Sequence, residues 1–591
     1  MPSLRRALTT VGSRGSHYRP SRADSGSGRP VGIRDNWTAK GRRNGTLPPA
    51  FSCQVDGQAS RDAQPAVAAP TRRRMIGIAA GAALGVAGAR LAGLRDFDER
   101  VLRAAAARVI GRPDLAEMAM SAPTADPDPM TEAMAPLGGT LPPEGLPVAT
   151  PAPTARLVAA APRAVPTAPP QPPVADGTPI VGSGLDWVSP LDAETARTTQ
   201  LLRRATFGAT AAELDRAWTD GFARTVDRLI ETSPAPPPAL DLTKLRIEQL
   251  QRWWIDHILT TPTPFAERMT LFWHGHFTSD YRKVGLQRPY VYWQNLTWRT
   301  FALGDLRTFL YQVTIDPAML SYLDLGISTA ANPNENYARE LMELYTLGVG
   351  QFSEDDVRAG ARALAGWRQP RETDPGRVGT FAPERSFKGP LTFLGKTATF
   401  DTQAVIDRIL AQDATAPFIT RRVLAQFLTR DPSDELVGRL ATRFRRSGYD
   451  LKGLLRDVFT SPEFSSPDAY RSLVKSPVEF TVSVAKALAA TTIGPAIIRA
   501  SGGMGQSLFD PPSVGGWPRN EGWVSSNSVV ARANFVATAL GETKSFPPAS
   551  NVHRTQLDGV LGPQTAAALQ NESDDRRRWA VVLSAAEFQL K

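Results

Sequence analysis

Asp434-Glu435-Leu436-Val437-Gly438-Arg439-Leu440-Ala441-Thr442-Arg443-Phe444-Arg445-Arg446-Ser447-Gly448 spells out one helix and its end. Leu436, Leu440 and Phe444 recur every fourth residue, a stripe that an α-helix brings to one face and a strand does not. Acids at 434 and 435 suit the positive helix start, and Ser447-Gly448 stops the run. Asp450 then caps a second helix carrying Leu451, Leu454, Leu455, Val458 and Phe459, which Ser461-Pro462 end. Upstream, Ser353-Glu354-Asp355-Asp356 reads as a capping box ahead of a helix over 357–367. Few stretches alternate with period two. Residues 381–400, rich in Gly, Pro, Thr and Phe, are where a hairpin or long loop fits. The expectation is an all-α fold: one large, mainly helical domain with long loops and a small hairpin.

That domain is expected to run from 187 to 591. Residues 98–186 contain no aromatic side chain, and 122–180 hold 16 prolines in 59 residues, so the stretch 91–186 reads as a Pro/Ala-rich linker. From Trp187 onward there are 11 tryptophans, enough for a packed core. Before the linker, Thr71-Arg72-Arg73-Arg74-Met75-Ile76 leads into an apolar run of about fifteen residues, short of the roughly twenty a membrane span needs. With Ala87-Gly88-Ala89 as a small-x-small cleavage pattern, 67–90 reads as a twin-arginine-like signal peptide. The expected location is therefore outside the cytoplasm, in the periplasm or at the cell surface, with membrane contact only through an uncleaved signal. Residues 1–66 are Arg/Gly/Ser-rich and aperiodic; they read as a disordered extension, or as sequence preceding the true translation start near Val67.

The net charge of +10 invites a nucleic-acid reading, but its location removes that reading. Residues 1–90 carry 15 basic and 4 acidic residues, leaving 53 basic and 54 acidic in 91–591. A near-neutral body exerts no bulk pull on phosphates. The single cysteine, Cys53, lies in the leader, so the body can hold no disulfide and no Cys-ligated metal. A metal site there would have to use His, carboxylate, amide or water.

Two polar patches carry candidate chemistry. The first is Phe272-Trp273-His274-Gly275-His276-Phe277. If Gly275 keeps the segment extended, His274 and His276 share a face and form a feasible pair of metal ligands; if it is helical, they diverge. The second is Asn334-Glu335-Asn336-Tyr337-Ala338-Arg339-Glu340-Leu341-Met342-Glu343, a helix start capped by Asn334 or Asn336. Asn336, Glu340 and Glu343 fall on one face, and Arg339 can pair with Glu343 or Glu335. His274, His276, Glu340 and Glu343 would be the ligands of a divalent metal or an acid–base set. The alternative is a buried ion-pair network that fixes helix packing. Lys475 before Ser476-Pro477, with Glu479, reads as a helix start with an ion pair. Trp517 and Trp523, with Asn520 and Asn527 in a turn-rich loop, offer rings and amides for a sugar, or else loop packing.

Read in order, Leu201-Leu202-Arg203-Arg204-Ala205-Thr206-Phe207-Gly208, the two patches above, Gly366-Trp367, Lys475 through Phe480, and Gly505 through Trp523 with Arg532 and Phe535 form a recognisable series. It resembles the large bacterial family known as domain of unknown function 1800, over roughly 195–590. The resemblance implies export, and a partner from domain of unknown function 1501, a phosphatase/sulfatase-like family. It implies no defined reaction. Relatives carry a His-Asp step where this chain has Glu384-Arg385-Ser386-Phe387, and Thr where it has Ala365, so no catalytic role is carried over to that loop. The functional expectation is an exported envelope protein that binds or assembles with such a partner. The alternatives are a metal-dependent enzyme and a carbohydrate-binding protein.

Overall fold

Most helix signals read from the sequence reappear in the structure. The helix Asp434–Arg446 starts at Ser433, whose hydroxyl accepts from Leu436 N, and buries Leu436, Leu440 and Phe444. Gly448, at φ 74°, turns the chain out of it. Asp450 caps Leu451–Phe459 by accepting from Lys452 N and Gly453 N. The Ser353/Asp356 capping box opens Glu354–Ala363. This helix stops short of the expected 367 because Gly366 adopts φ 115° and the chain continues as the strand Trp367–Arg368.

In the computed structural model, residues 179–182, 187–371 and 377–591 are described. They contain twenty-two α-helices and three two-stranded sheets, so the fold is mainly α. The hairpin Leu391–Phe393 with Lys396–Ala398 lies inside the 381–400 stretch. Trp367–Arg368 pairs antiparallel with Thr380–Phe381, and Ile180–Val181 pairs in parallel with Val560–Leu561. The last pairing brings two residues of the Pro/Ala-rich stretch onto the domain. The extension 1–66, the signal 67–90 and the linker up to 178 lie outside the described residues. Among the described residues no helix is long and apolar enough to cross a membrane.

Two hydrophobic cores organise the domain. One gathers Phe265, Trp273, Phe277, Trp298, Phe309, Tyr345 and the helices of 402–459; the other gathers Trp254, Phe480, Phe509, Phe535 and Trp579. The helix Pro264–His274 runs between them and is buried from Phe265 to His274. A helix buried all round is normally apolar all round, yet this one carries Glu267 and Arg268. Each therefore needs a buried partner. Glu267 accepts from Arg299 Nε (2.5 Å) and Nη2 (2.8 Å) and from Trp254 Nε1 (2.8 Å). Arg268 points the other way, into the pocket described next. The helix Pro477–Ala487 is likewise wholly buried and brings Glu479 to the same place.

Candidate functional site

A pocket of about 60 Å³ opens where the central helix meets the loop after Phe509. Gly516, at φ 84°, allows that loop to approach; a Cβ there would collide with the carbonyl oxygen of Gly275. Thr278 Oγ1 donates to Val514 O (2.5 Å), tying the loop to the turn after the helix. The loop then delivers Trp517, Arg519, Asn520 and Trp523 to the pocket wall, opposite Arg268, Glu479 and Lys591.

The charges in this pocket do not balance. Three side-chain cations, Arg268, Arg519 and Lys591, line it against one side-chain carboxylate, Glu479. Glu479 is already committed. Its Oε2 accepts from Ser476 N (2.7 Å) in a capping box, and its Oε1 is shared by Lys591 Nζ (2.5 Å) and Arg268. With its amide oriented so that oxygen rather than nitrogen faces the guanidinium, as the surrounding donors require, Gln426 accepts from Arg268 Nη1 (3.1 Å). The guanidinium of Arg519 has no hydrogen-bond or ion-pair partner among the described residues, nor has that of Arg422, whose charge acts on it. Burial lowers Arg268 to about 9 and, with Arg422 beside it, lowers Arg519 to about 10. Lys591 is held well below the usual amine range by burial and then by Arg268 and Arg204. Two buried donors, Trp517 Nε1 and Arg268 Nε, also have no acceptor. Buried donors are normally satisfied, so such orphans mark a place where an acceptor belongs.

The structure separates the residues expected to bind metal. Gly275 is helical in conformation (φ −85°, ψ −7°), not extended, so His274 and His276 diverge. His274 enters the second core, against Trp254, Phe509 and Trp517, and its Nε2 accepts from Phe509 N (3.0 Å). His276 enters the first core, and its Nε2 donates to Tyr345 O (3.0 Å). Both are buried. Burial lowers His274 to about 3, and burial followed by Arg422 and Arg519 lowers His276 well below the usual imidazole range. Each Nε2 is engaged by the backbone. Among the described residues no three His, Cys, Asp or Glu side chains converge to hold a metal; His274, His276, Glu340 and Glu343 are not a ligand set.

The acidic segment forms a short helix, Asn336–Glu340, which continues as a π-helix over Leu341–Thr346. Asn334 Oδ1 accepts from Asn336 N (3.0 Å), but Glu335 occupies the cap position and no side chain caps the helix, so the expected asparagine cap is not formed. Arg339 reaches Glu335 (3.3 Å) but takes Glu354 as its main partner, with two bonds of 2.7 Å, and does not pair with Glu343. The wider π turn breaks the α-helical spacing that placed Glu343 on the face of Asn336 and Glu340. Asn336 Nδ2 donates to Asp324 (3.2 Å). Glu340 is raised by burial and by Glu343, against the pull of Arg339. The cluster is an ion-pair and capping network at the half-buried edge of a helix.

Trp517 and Trp523 are 8 % and 6 % exposed, so neither ring offers an open face to a sugar. They are walls of the arginine pocket. Arg268, Arg519, Lys591 and Gln426 did not stand out in the sequence. The one legible signal was the charged pair Glu267-Arg268 inside the apolar run 265–277.

A family model described as protein of unknown function (DUF1800) matches residues 200–590, more than half of the chain. The chain belongs to the DUF1800 family. The match runs from residue 200 to residue 590, so in this DUF1800 chain the arginine pocket lies within the family region except for Lys591. No curated protein and no solved structure matched the chain.

Proposed function

We propose that this protein is an exported binding protein of the cell envelope, and that its ligand is a small oxyanion or an anionic group held in the arginine pocket. The observation that carries this reading is the excess of the Arg268, half-buried Arg519 and Lys591 side chains over Glu479, with Arg268 Nε and Trp517 Nε1 buried without acceptors. Buried charges demand partners, and guanidinium groups match sulfate, phosphate and carboxylate geometry. Size supports the same class. About 60 Å³ holds roughly four or five water-sized atoms, enough for a tetrahedral oxyanion. Binding is favoured over catalysis because the one carboxylate in the pocket is locked by two cations and a backbone amide. The phosphatase- or sulfatase-like partner implied by the family resemblance would release an anion of this kind, and a protein that captures it beside that partner is the corresponding role.

The test is calorimetric titration of the purified chain with sulfate and with phosphate in a chloride-free buffer. Saturable one-to-one binding is expected for one of them, weakened at least about tenfold in Arg519→Gln. A wild-type protein that binds neither anion sinks the reading.

A further inference from the structure

Residues 474–476 are extended and alternate between two cavities. Val474 and Ser476 line the arginine pocket, whereas Lys475 faces the opposite way and lines a separate cavity of about 20 Å³. Lys475 is 4 % exposed. Its ammonium has no hydrogen-bond or ion-pair partner among the described residues, and its one polar contact is the face of Phe588, 3.7 Å from the ring centroid. The expected pairing with Glu479 is absent, since that carboxylate belongs to the other cavity. Arg203 lines the same small cavity. Its terminal nitrogens bind Asp558 (both 2.7 Å), while its Nε is buried without a partner. The remaining polar lining is neutral. No carboxylate lines the cavity, and the Gln556 amide and the hydroxyls of Thr199, Ser483 and Thr555, which donate to backbone carbonyls of their own helices, can accept a hydrogen bond but carry no counter-charge.

We propose that this cavity is a monovalent-anion site of halide size, in which chloride accepts from Lys475 Nζ and Arg203 Nε. Its volume admits one or two water-sized atoms, which fits a halide and excludes sulfate or phosphate. A water there would restore hydrogen bonds but leave the charge uncompensated. Burial, reinforced by Arg203, Arg532, Lys591 and Arg471, holds Lys475 well below the usual amine range, as expected for a cation lacking its counter-ion. The site is independent of the arginine pocket.

The test is thermal unfolding in sodium chloride against sodium gluconate at equal ionic strength, in an Arg519→Gln background that disables the larger pocket. Chloride is expected to raise the midpoint by about 1–3 °C, and Lys475→Met is expected to abolish the difference. An equal shift in Lys475→Met, or no shift in the parent, overturns the proposal. Should Lys475→Met fail to fold, crystals of the wild type grown in bromide decide it. An anomalous peak within hydrogen-bond distance of Lys475 Nζ upholds the site, and an empty or water-filled cavity removes it.

Discussion

Two buried carboxylates with opposite titration behaviour show how partners outweigh burial. Burial raises Glu267, but Arg299 and His257 more than reverse this and leave it at about 2. Its stabilisation is therefore complete above the ordinary carboxylate value near 4.5 and is lost as pH falls toward 2. Glu267→Gln should cost about 3–5 kcal/mol at pH 7 by leaving Arg299 buried and unpaired. It should also flatten the acid limb of a urea-unfolding profile; an unchanged acid limb contradicts the pairing. Asp316 has neutral partners only. It accepts from Met319 N (2.9 Å) and Gln294 Nε2 (2.8 Å), while its Oδ2 is buried with none, and burial raises it to about 7. Here the folded state holds the proton more tightly, so stability falls as pH rises from about 4 to about 7. Asp316→Asn preserves the accepting oxygen and removes the charge. It should stabilise the protein by about 2–4 kcal/mol at pH 8 and hardly at all at pH 4, as read by denaturant midpoints at the two pH values.

At the scale of the element, local rules held wherever a helix end is settled by its own residues. Asp450 and Ser353 cap the helices their spacing announced. Asp450→Ala should cost about 0.5–2 kcal/mol in chemical denaturation, and a loss near zero would mean that packing alone sets the start of that helix. The π-helix at Leu341–Thr346 was not legible, because periodicity arguments assume one turn geometry throughout. Its geometry is set by what it packs against: Thr346 Oγ1 donates to Leu341 O (2.5 Å), and Tyr345 O accepts from His276 sixty-nine residues away. The same dependence governs Glu479. Its cap on Ser476 is local, and its ionic partners Arg268 and Lys591 are not. Glu479→Gln should therefore lower stability by roughly 3–5 kcal/mol, yet bind an oxyanion more tightly by about tenfold, since the competing charge is gone. A variant that loses both stability and anion affinity would show that Glu479 positions the arginines.

At the scale of the whole molecule, the pocket couples folding to ligand. An anion that binds only the folded protein stabilises it by RT ln(1 + [L]/Kd). Adding a hundredfold excess over Kd should then raise stability by about 2.7 kcal/mol in wild type and much less in Arg519→Gln. Equal responses in both proteins would place the anion elsewhere. The sequence by itself determined the elements: the helical class, the caps and stops, and the hairpin region. These rest on residues a few positions apart, where backbone geometry leaves little freedom. Tertiary structure decided the site. His274 and His276 are neighbours in sequence but enter different cores, because helical geometry at Gly275 turns them apart. Arg268, Gln426, Glu479, Arg519 and Lys591 come from distant segments, and only the packing of two buried helices against one loop brings their charges together. Side-chain spacing along a chain carries no record of such meetings. The buried, unbalanced charge that marks the pocket exists only once water has been excluded from it.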